Sequence, residues 1–447
     1  MLQLTVADAL LIPLYFVLLS LGLTFINKRI NKDKTLYRYF SRAFKLKLIF
    51  ALFFGLYSIF LSQGDTAVYF TGGLHFKAIV LDKPHYLFAS AQEFGSYYET
   101  LDLREENYGF VSAESNLMAM KFVALFSIFS FNNYMVTSMF FSVFSLFGLW
   151  YMFKTFQRIY PGLHKAIYVT FLLLPSLLFW GSGILKDTLC LGLLGIGFYN
   201  SYLFFFEKKY QVGIFLACLV SFYYLFVIKS YIGIVFLPCF FFWYFLQRIS
   251  QLRNIMVKAL AYSLPLIAIL LFLAFADLSK FMPENTVEKL ATDILNTQQS
   301  YIASTPDDGA LLDYGEINPT FAGIMKIIPQ ALVASLYRPF IWEARKITSL
   351  FAAIEGTFLF CFTIYVFFRR GVLNNFRIIA SDNSIIFTLT FSILFAIAIG
   401  LNCFNLGTLV RYKIPCMPFF ILSLILILNR QQVKNVAPAS AQKVEAV

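Results

Sequence analysis

Charged residues are scarce in this chain. Asp, Glu, Lys and Arg make up 13% of its 447 residues, and hydrophobic residues make up 59%. A soluble domain carries about a quarter of its residues as charged side chains. With a mean hydropathy of +0.72, the chain has too little polar surface to cover a water-soluble fold. The composition therefore excludes a soluble protein and predicts an integral membrane protein.

Motifs for metals and nucleotides are also lacking. The six cysteines show no CxxC or other metal-ligand spacing, so we expect them to be small packing residues in helices. His75 and His85 are too isolated for a metal site, and no glycine-rich phosphate-binding motif occurs. The net charge of +12 is spread in short runs between apolar segments. This distribution argues against a nucleic-acid partner.

What the sequence does contain is a series of apolar segments near the length that a helix needs to cross a bilayer. They predict an all-α fold, a polytopic bundle of about eleven spans that forms a single integral membrane domain over residues 1–447. The first segment has no basic stretch before it, so we expect a retained anchor and not a signal peptide. The predicted spans are Ala9–Ile26, Leu46–Ser62, Tyr134–Phe153, Ala166–Ile184, Leu189–Phe206, Val212–Val227, Tyr231–Leu246, Ala259–Ala276, Ile347–Phe368, Ile385–Leu401 and Tyr412–Leu428.

The distribution of basic residues predicts the orientation. With the N-terminus outside, the inner loops hold 22 of the 36 basic residues and four of the 24 acidic ones, if Lys47 is counted with the first loop. Cytoplasmic loops are expected to be rich in Lys and Arg. The same rule makes Leu117–Ser130 an outer surface or re-entrant helix, because a span there would reverse the bias. We therefore predict a multi-pass protein of a bacterial inner (plasma) membrane, with its N-terminus outside and its C-terminus in the cytoplasm.

This topology leaves two long segments outside, Gln63–Asn133 and Asp277–Lys346. Long ordered loops usually carry function, and we expect surface helices in both. We also expect the polar groups of this face to converge on one cavity at the outer leaflet. They are Asp65, Lys186 with Asp187, Lys229, the run from Tyr337 to Lys346, and Arg411 with Tyr412 and Lys413.

Four stretches on this face carry a likeness to a known family. They are Gly64-Asp65-Thr66 with Tyr69 and Phe70, Pro175-Ser176 with Phe179 to Asp187, Arg338-Pro339-Phe340 with Trp342 and Glu343, and Arg411-Tyr412 with Pro415 and Pro418. Together they resemble the GT-C superfamily of polytopic, polyprenyl-phosphate-dependent membrane glycosyltransferases. The resemblance covers most of the chain in topology and about forty residues in motif. One departure is that the presumed catalytic loop follows the second span, which implies an extra N-terminal helix.

The resemblance implies sugar transfer on the extracytoplasmic face, from a polyprenyl-phosphate-linked donor to a glycan or lipid acceptor in the surrounding membrane. Asp65 would be the general base for the acceptor hydroxyl. No adjacent acid pair accompanies it, so no metal ligand is assigned and a divalent metal stays an open alternative. Cations would neutralise the departing lipid phosphate, namely Arg411, Lys413, Arg338 and Lys186. Possible supporting residues are Asp187, Glu343, Arg345 and Tyr69.

Other readings remain open for the chain and for its residues. A polysaccharide polymerase or ligase of the O-antigen type would use the same donor. A flippase for a lipid-linked glycan is disfavoured, because no internal repeat of hydropathy is found and the charges in apolar segments are expected near one face. Asp65 could instead serve a helix start, and Arg411 and Lys413 could anchor a helix end at the headgroups. Glu355 lies within a span, where a carboxylate is usually functional or paired.

The predicted orientation can be tested by labelling single cysteines in intact cells. Cysteines placed at Asp102 and Asp308 should react with a membrane-impermeant reagent, because both positions are predicted to lie outside. A cysteine at Lys32 should stay protected until the membrane is opened. The reverse pattern would put the proposed site cations on the cytoplasmic side and would contradict every site assignment above.

Overall fold

A computed structural model describes residues 2–101, 108–251, 286–304, 311–315, 318, 320–344 and 347–429. Helices dominate these residues, and no strand forms among them beyond an isolated β-bridge between Leu311 and Asn405. The prediction of an all-α fold is confirmed. The predicted span Ala259–Ala276 lies outside the described residues.

The chain divides into two compact units, Met1–Gly233 and Ile234–Val447. The first unit contains α1 (Val6–Ile30), α2 (Lys34–Phe60), α3 (Gly64–Asp82), α4 (Ala91–Glu99), α5 (Tyr108–Val111), α6 (Glu114–Phe129), α7 (Tyr134–Ile159), α8 (His164–Leu172), α9 (Pro175–Trp180), α10 (Lys186–Phe205) and the first part of α11 (Val212–Ser250). The second unit contains the rest of α11, then α12 (Thr286–Ser304), α13 (Phe321–Tyr337), α14 (Ile347–Arg370), α15 (Val372–Ala380), α16 (Asn383–Asn402), α17 (Leu406–Tyr412) and α18 (Met417–Leu428).

Seven of the described helices are long and apolar enough to cross a membrane: α1, α2, α7, α10, α11, α14 and α16. The pair α17 and α18, bent by 68°, makes an eighth if it counts as one span. These helices are those of a multi-pass membrane protein. The figure of eleven spans stays a prediction.

Three of the predicted spans differ from the structure because the backbone breaks or continues where hydropathy cannot show it. The predicted span Ala166–Ile184 is divided into α8 and α9, since the residue before Pro175 is disfavoured from helical geometry. The predicted spans Val212–Val227 and Tyr231–Leu246 lie on α11, which is interrupted by the non-helical backbone of Lys229.

The first predicted inner loop, Asn27–Lys45, is mostly helical. α1 continues to Ile30, and α2 begins at Lys34 after Asp33, whose carboxylate accepts hydrogen bonds from the backbone N–H groups of the next turn. The bond from Thr35, followed by that from Leu36, lowers the pKa of Asp33. Apolar length alone therefore placed the start of α2 too late. Counting Lys47 as a loop charge was wrong, because it lies near the middle of α2 and is buried.

Close glycine contacts bring α7 and α10 together in the first unit. A Cβ atom on Gly195 would lie 2.0 Å from the carbonyl oxygen of Gly148, and one on Gly148 would lie 2.4 Å from that of Leu191. Small residues at such an interface let two helix backbones approach closely. This contact positions α10, whose first residue is Lys186.

The predicted first outer segment is a folded helical layer with its own core. Phe76 from α3, Phe94 and Tyr98 from α4, and Leu117 and Met120 from α6 are buried against one another. α3 and α6 pack closely where two glycines of α3 face α6. α6 also coincides with the predicted outer helix Leu117–Ser130 to within a few residues. A core of this kind fixes the start of α3 relative to α6.

The second unit holds part of the predicted second outer segment against the end of α16. The backbone N–H of Leu312 donates to the carbonyl of Phe404 at 2.7 Å, and the hydroxyl of Tyr314 donates to the carbonyl of Gly400 at 2.9 Å. α13 packs on α16 and leads into the Arg338–Pro339 segment. These contacts bring residues 311–315 and residues 338–343 into one part of the unit.

Candidate functional site

The candidate base lies where α3 begins. Gly64 has a φ of +43°, which favours glycine, and Asp65 follows it in the first helical turn. A carboxylate there interacts favourably with the positive end of the helix dipole. The side chain of Gln63 exchanges hydrogen bonds with the backbone of Leu2 and holds this turn in place. Asp65 is half-buried, so water reaches part of it.

Lys186 is the candidate cation of the first unit. Its Nζ donates to Asn116 Oδ1 at 2.7 Å and to Ser115 Oγ at 3.1 Å, and it lies 5.9 Å from the ring centre of Tyr69. The hydroxyl of Tyr69 donates to the same Asn116 oxygen at 3.3 Å. Asp65 interacts electrostatically with Lys186. The predicted residues Asp65, Tyr69 and Lys186 are therefore brought together by α3, α6 and α10.

Asp187 has a different environment from its neighbour Lys186. It is 2% exposed, and its Oδ1 lies 2.5 Å from Nζ of Lys229, which is 8% exposed. Lys229 is the residue at which α11 loses helical geometry. Asp187 is thus neutralised by Lys229 at this break in α11. The buried pair suits a structural role better than proton transfer with a substrate.

The second unit brings Arg338 and Glu343 together after α13. Nε of Arg338 donates to Oε1 of Glu343 at 2.8 Å, and Nη2 lies 2.5 Å from the same oxygen. The backbone N–H of Phe340 donates to the other carboxylate oxygen at 2.8 Å. Glu343 therefore orients Arg338 and offsets its charge. Arg345 lies outside the described residues.

Arg411 and Lys413 lie on either side of the end of α17. The sequence reading that they open the last helix was wrong, because α17 ends at Tyr412 and α18 begins at Met417. Lys413 is buried, and its Nζ donates to the carbonyl of Arg338 at 2.9 Å. It also interacts electrostatically with Glu355, which gives that span carboxylate a partner. Arg411 is half-buried, with its guanidinium carbon 5.5 Å from the ring centre of Tyr412.

Two tyrosines from the predicted second outer segment interact with these cations, namely buried Tyr314 and half-buried Tyr301. Tyr314 interacts electrostatically with Arg338, and Tyr301 with Arg411. Burial raises the pKa of both phenols, so both are neutral hydrogen-bonding groups at physiological pH. The arginines of this unit thus lie in a partly desolvated setting, where a charge-assisted hydrogen bond gains strength.

Lys47 was not recognised from the sequence as a buried group. It is 1% exposed, and its Nζ donates to the carbonyls of Leu177 and Gly181 at 2.9 and 2.6 Å and to Ser145 Oγ at 3.0 Å. These carbonyls belong to the C-terminal end of α9, just before the loop that leads to Lys186. A lysine inside an apolar run was the available signal. Asn116 gave no such signal, because its role depends on tertiary contacts.

The predicted site residues are divided between the units: Asp65, Tyr69, Lys186 and Asp187 lie in the first, and Arg338, Glu343, Arg411 and Lys413 in the second. One shared cavity stays a prediction. Within the described part of the chain, no three His, Cys, Asp or Glu side chains are grouped as a metal site requires. Comparison with protein-family models, with curated proteins and with solved structures found no match.

The buried pair of Asp187 and Lys229 gives a stability prediction. Asp187→Asn or Lys229→Met alone should lower the free energy of unfolding by about 3–5 kcal/mol, because each leaves one buried charge without its partner. The double variant should recover a large part of that loss. Thermal denaturation of the purified protein in detergent measures all three.

A double variant that loses the sum of the two single effects would contradict direct pairing. The matched control combines Glu207→Gln with Lys209→Met, a partly exposed pair at 2.8 Å, where each change should have a small effect.

Proposed function

We propose that this chain is a membrane glycosyltransferase that takes a sugar from a polyprenyl-phosphate-linked donor on the extracytoplasmic face. The observation that carries the proposal is a cluster of half-buried groups, in which the Lys186 ammonium is held by Asn116 and Ser115. The hydroxyl of Tyr69, one turn after half-buried Asp65, donates to the same Asn116 oxygen. A carboxylate on α3 and a cation at the start of α10 supply the two charges that such a transfer needs.

Asp65 is the better of the two carboxylates for the role of base. A general base must reach the proton it removes, and Asp65 is partly exposed whereas Asp187 is buried against Lys229. In the proposed reaction, Asp65 accepts the proton of an acceptor hydroxyl while the new glycosidic bond forms. The bond from the sugar to the lipid phosphate breaks, and the phosphate leaves with the bonding electron pair.

Lys186 supplies positive charge from the start of α10, where it contacts α6. Its donors to Asn116 and Ser115 fix its position before any substrate binds, and a cation positioned in advance stabilises developing negative charge without reorganisation. Tyr69 helps to hold Lys186 in two ways. Its ring lies near the ammonium, and its hydroxyl donates to the Asn116 oxygen that also accepts from Lys186.

In the second unit, we assign contact with phosphate chiefly to Arg411. Its planar fork matches phosphate oxygens, and it is half-buried where Lys413 is fully buried. Lys413 then supports the site by holding the carbonyl of Arg338. Arg338 itself is partly neutralised by Glu343, which weakens its attraction for a second anion. A polymerase or ligase using the same donor would need the same groups.

The position of Lys47 in the middle of a candidate span is the observation that favours the transporter alternative. The expectation that charges in apolar segments lie near one face was wrong for this residue, which is near the middle of a candidate span. Ionisable groups at such depth often mark an ion or substrate pathway. However, the Lys47 ammonium donates to backbone carbonyls at the end of α9. We therefore assign it a structural role and keep the glycosyltransferase as the proposal.

Replacement of Asp65 tests the proposed base. Asp65→Asn keeps the shape of the side chain and removes its basicity, so turnover should fall about 10²–10⁴-fold while donor binding stays near normal. The measurement is transfer of labelled sugar from a polyprenyl carrier by purified protein in detergent, where transport across a membrane cannot contribute. The matched control is Asp82→Asn at the exposed end of the same helix, which should keep full turnover.

Two outcomes would contradict the proposal in different ways. Full turnover in Asp65→Asn, with active wild-type protein, would show that Asp65 is not the base. No transfer by wild-type protein from any lipid-linked donor would favour the flippase.

A further inference from the structure

Helix α15 is a short connector between two candidate membrane spans. It follows α14 after Gly371, whose φ of +76° allows the sharp turn, and it ends two residues before α16 begins. α14 and α16 are both long and apolar enough to cross a membrane. Because only one or two residues separate α15 from each of them, it must lie where these spans leave the bilayer.

The nine residues of α15 divide into three sectors around the helix, at about 100° per residue. One sector faces the protein: Asn375 and Ile378 are buried, and the Asn375 amide donates to the carbonyl of Phe367 at 3.1 Å. The adjacent sector is apolar and exposed, with Leu373 at 86% exposure beside Val372 and Phe376. The third sector, on the far side of the apolar one, carries Asn374 and Arg377, which are also exposed.

Arginines border the exposed apolar sector. Arg377 lies in the last turn of α15, and Arg369 and Arg370 end α14. Arg370 binds within the protein, because its Nη2 donates to the carbonyl of Leu428, at the end of α18, over 2.6 Å. Arg369 and Arg377 are exposed. The apolar sector thus has exposed positive charge at each end.

We propose that α15 is an interfacial helix that binds the surface of an anionic phospholipid bilayer. Its apolar sector enters the boundary between headgroups and acyl chains, and Arg369 and Arg377 contact the lipid phosphates. A lipid surface is the expected partner because α15 lies at the ends of two spans and because exposed arginines lie beside its apolar sector. The inference depends on membrane insertion and is independent of any glycosyltransferase activity.

The depth of α15 can be measured in full-length protein reconstituted in lipid nanodiscs. Cys361, the exposed cysteine among the six, is replaced by serine, and an environment-sensitive fluorophore is attached at Leu373→Cys. The matched control carries the fluorophore at Asn374→Cys, one residue away on the polar sector. We expect lipids with a nitroxide high on the acyl chain to quench the first label at least twofold more than the second. Aqueous iodide should show the reverse order.

Two results would overturn bilayer insertion. Equal quenching of the two labels by the nitroxide lipid would show that the apolar sector has no preference for the bilayer. A label at Leu373 that is protected from both the nitroxide and iodide would show that protein covers it, either a second copy or another part of this chain.

The lipid preference is tested in the same nanodiscs by energy transfer from the label at Leu373 to headgroup-labelled lipid. Anionic lipid should be enriched over zwitterionic lipid around α15 by up to roughly fivefold for each arginine. The enrichment should fall to near parity in Arg369→Gln/Arg377→Gln and should persist in Arg369→Lys/Arg377→Lys. Unchanged enrichment in the glutamine variant would overturn the role of these arginines, and normal thermal stability confirms that the variant is folded.

Discussion

Burial of lysine ammonium groups among packed helices is the constraint on which much of this structure depends. An ammonium has three donors, and each must find an acceptor when water is absent. Lys47 bonds to carbonyls at the end of α9, Lys229 pairs with Asp187 where α11 is interrupted, and Lys413 bonds to the carbonyl that follows α13. Each buried lysine therefore lies at, or bonds to, a place where a helix ends or breaks. Helix ends leave carbonyls without intrahelical partners, and Lys47 and Lys413 donate to carbonyls of this kind. Lys229 is satisfied by the Asp187 carboxylate instead.

These breaks also shape the candidate site. The loop that begins at Gly181, held by Lys47, leads directly to Lys186. Asp187 is buried against Lys229, while its neighbour Lys186 is half-buried and bonds to Asn116. In the second unit, half-buried Arg411 lies in the last turn of α17, and buried Lys413 directly follows that helix. Charges used for structure and charges open to a substrate are thus adjacent in sequence and distinct in environment.

The all-α fold and most of the long apolar helices could be predicted from hydropathy, because the length of an apolar run reports directly on a span. The amphipathic start of α2 from Lys34, the division at Pro175 and the continuation through Lys229 could not, since each depends on local backbone geometry and capping. Asp65, Tyr69 and Lys186 could be proposed from residue type and position in the chain. Asn116 and Lys47 depend on contacts between residues about 70 and 130 positions apart, which no local pattern reveals.

The central claim is that Asp65 and Lys186 act as one site, and a double-mutant cycle on kcat/KM for sugar transfer tests it most directly. Lys186→Met should lower kcat/KM about tenfold or more, as expected for loss of a charged hydrogen bond. Asp65→Asn should lower kcat/KM more steeply when Lys186 is present than in Lys186→Met, with a coupling energy of about 0.5–3 kcal/mol. Asp82→Asn should show no such coupling. Strictly additive effects of Asp65→Asn and Lys186→Met would contradict the account.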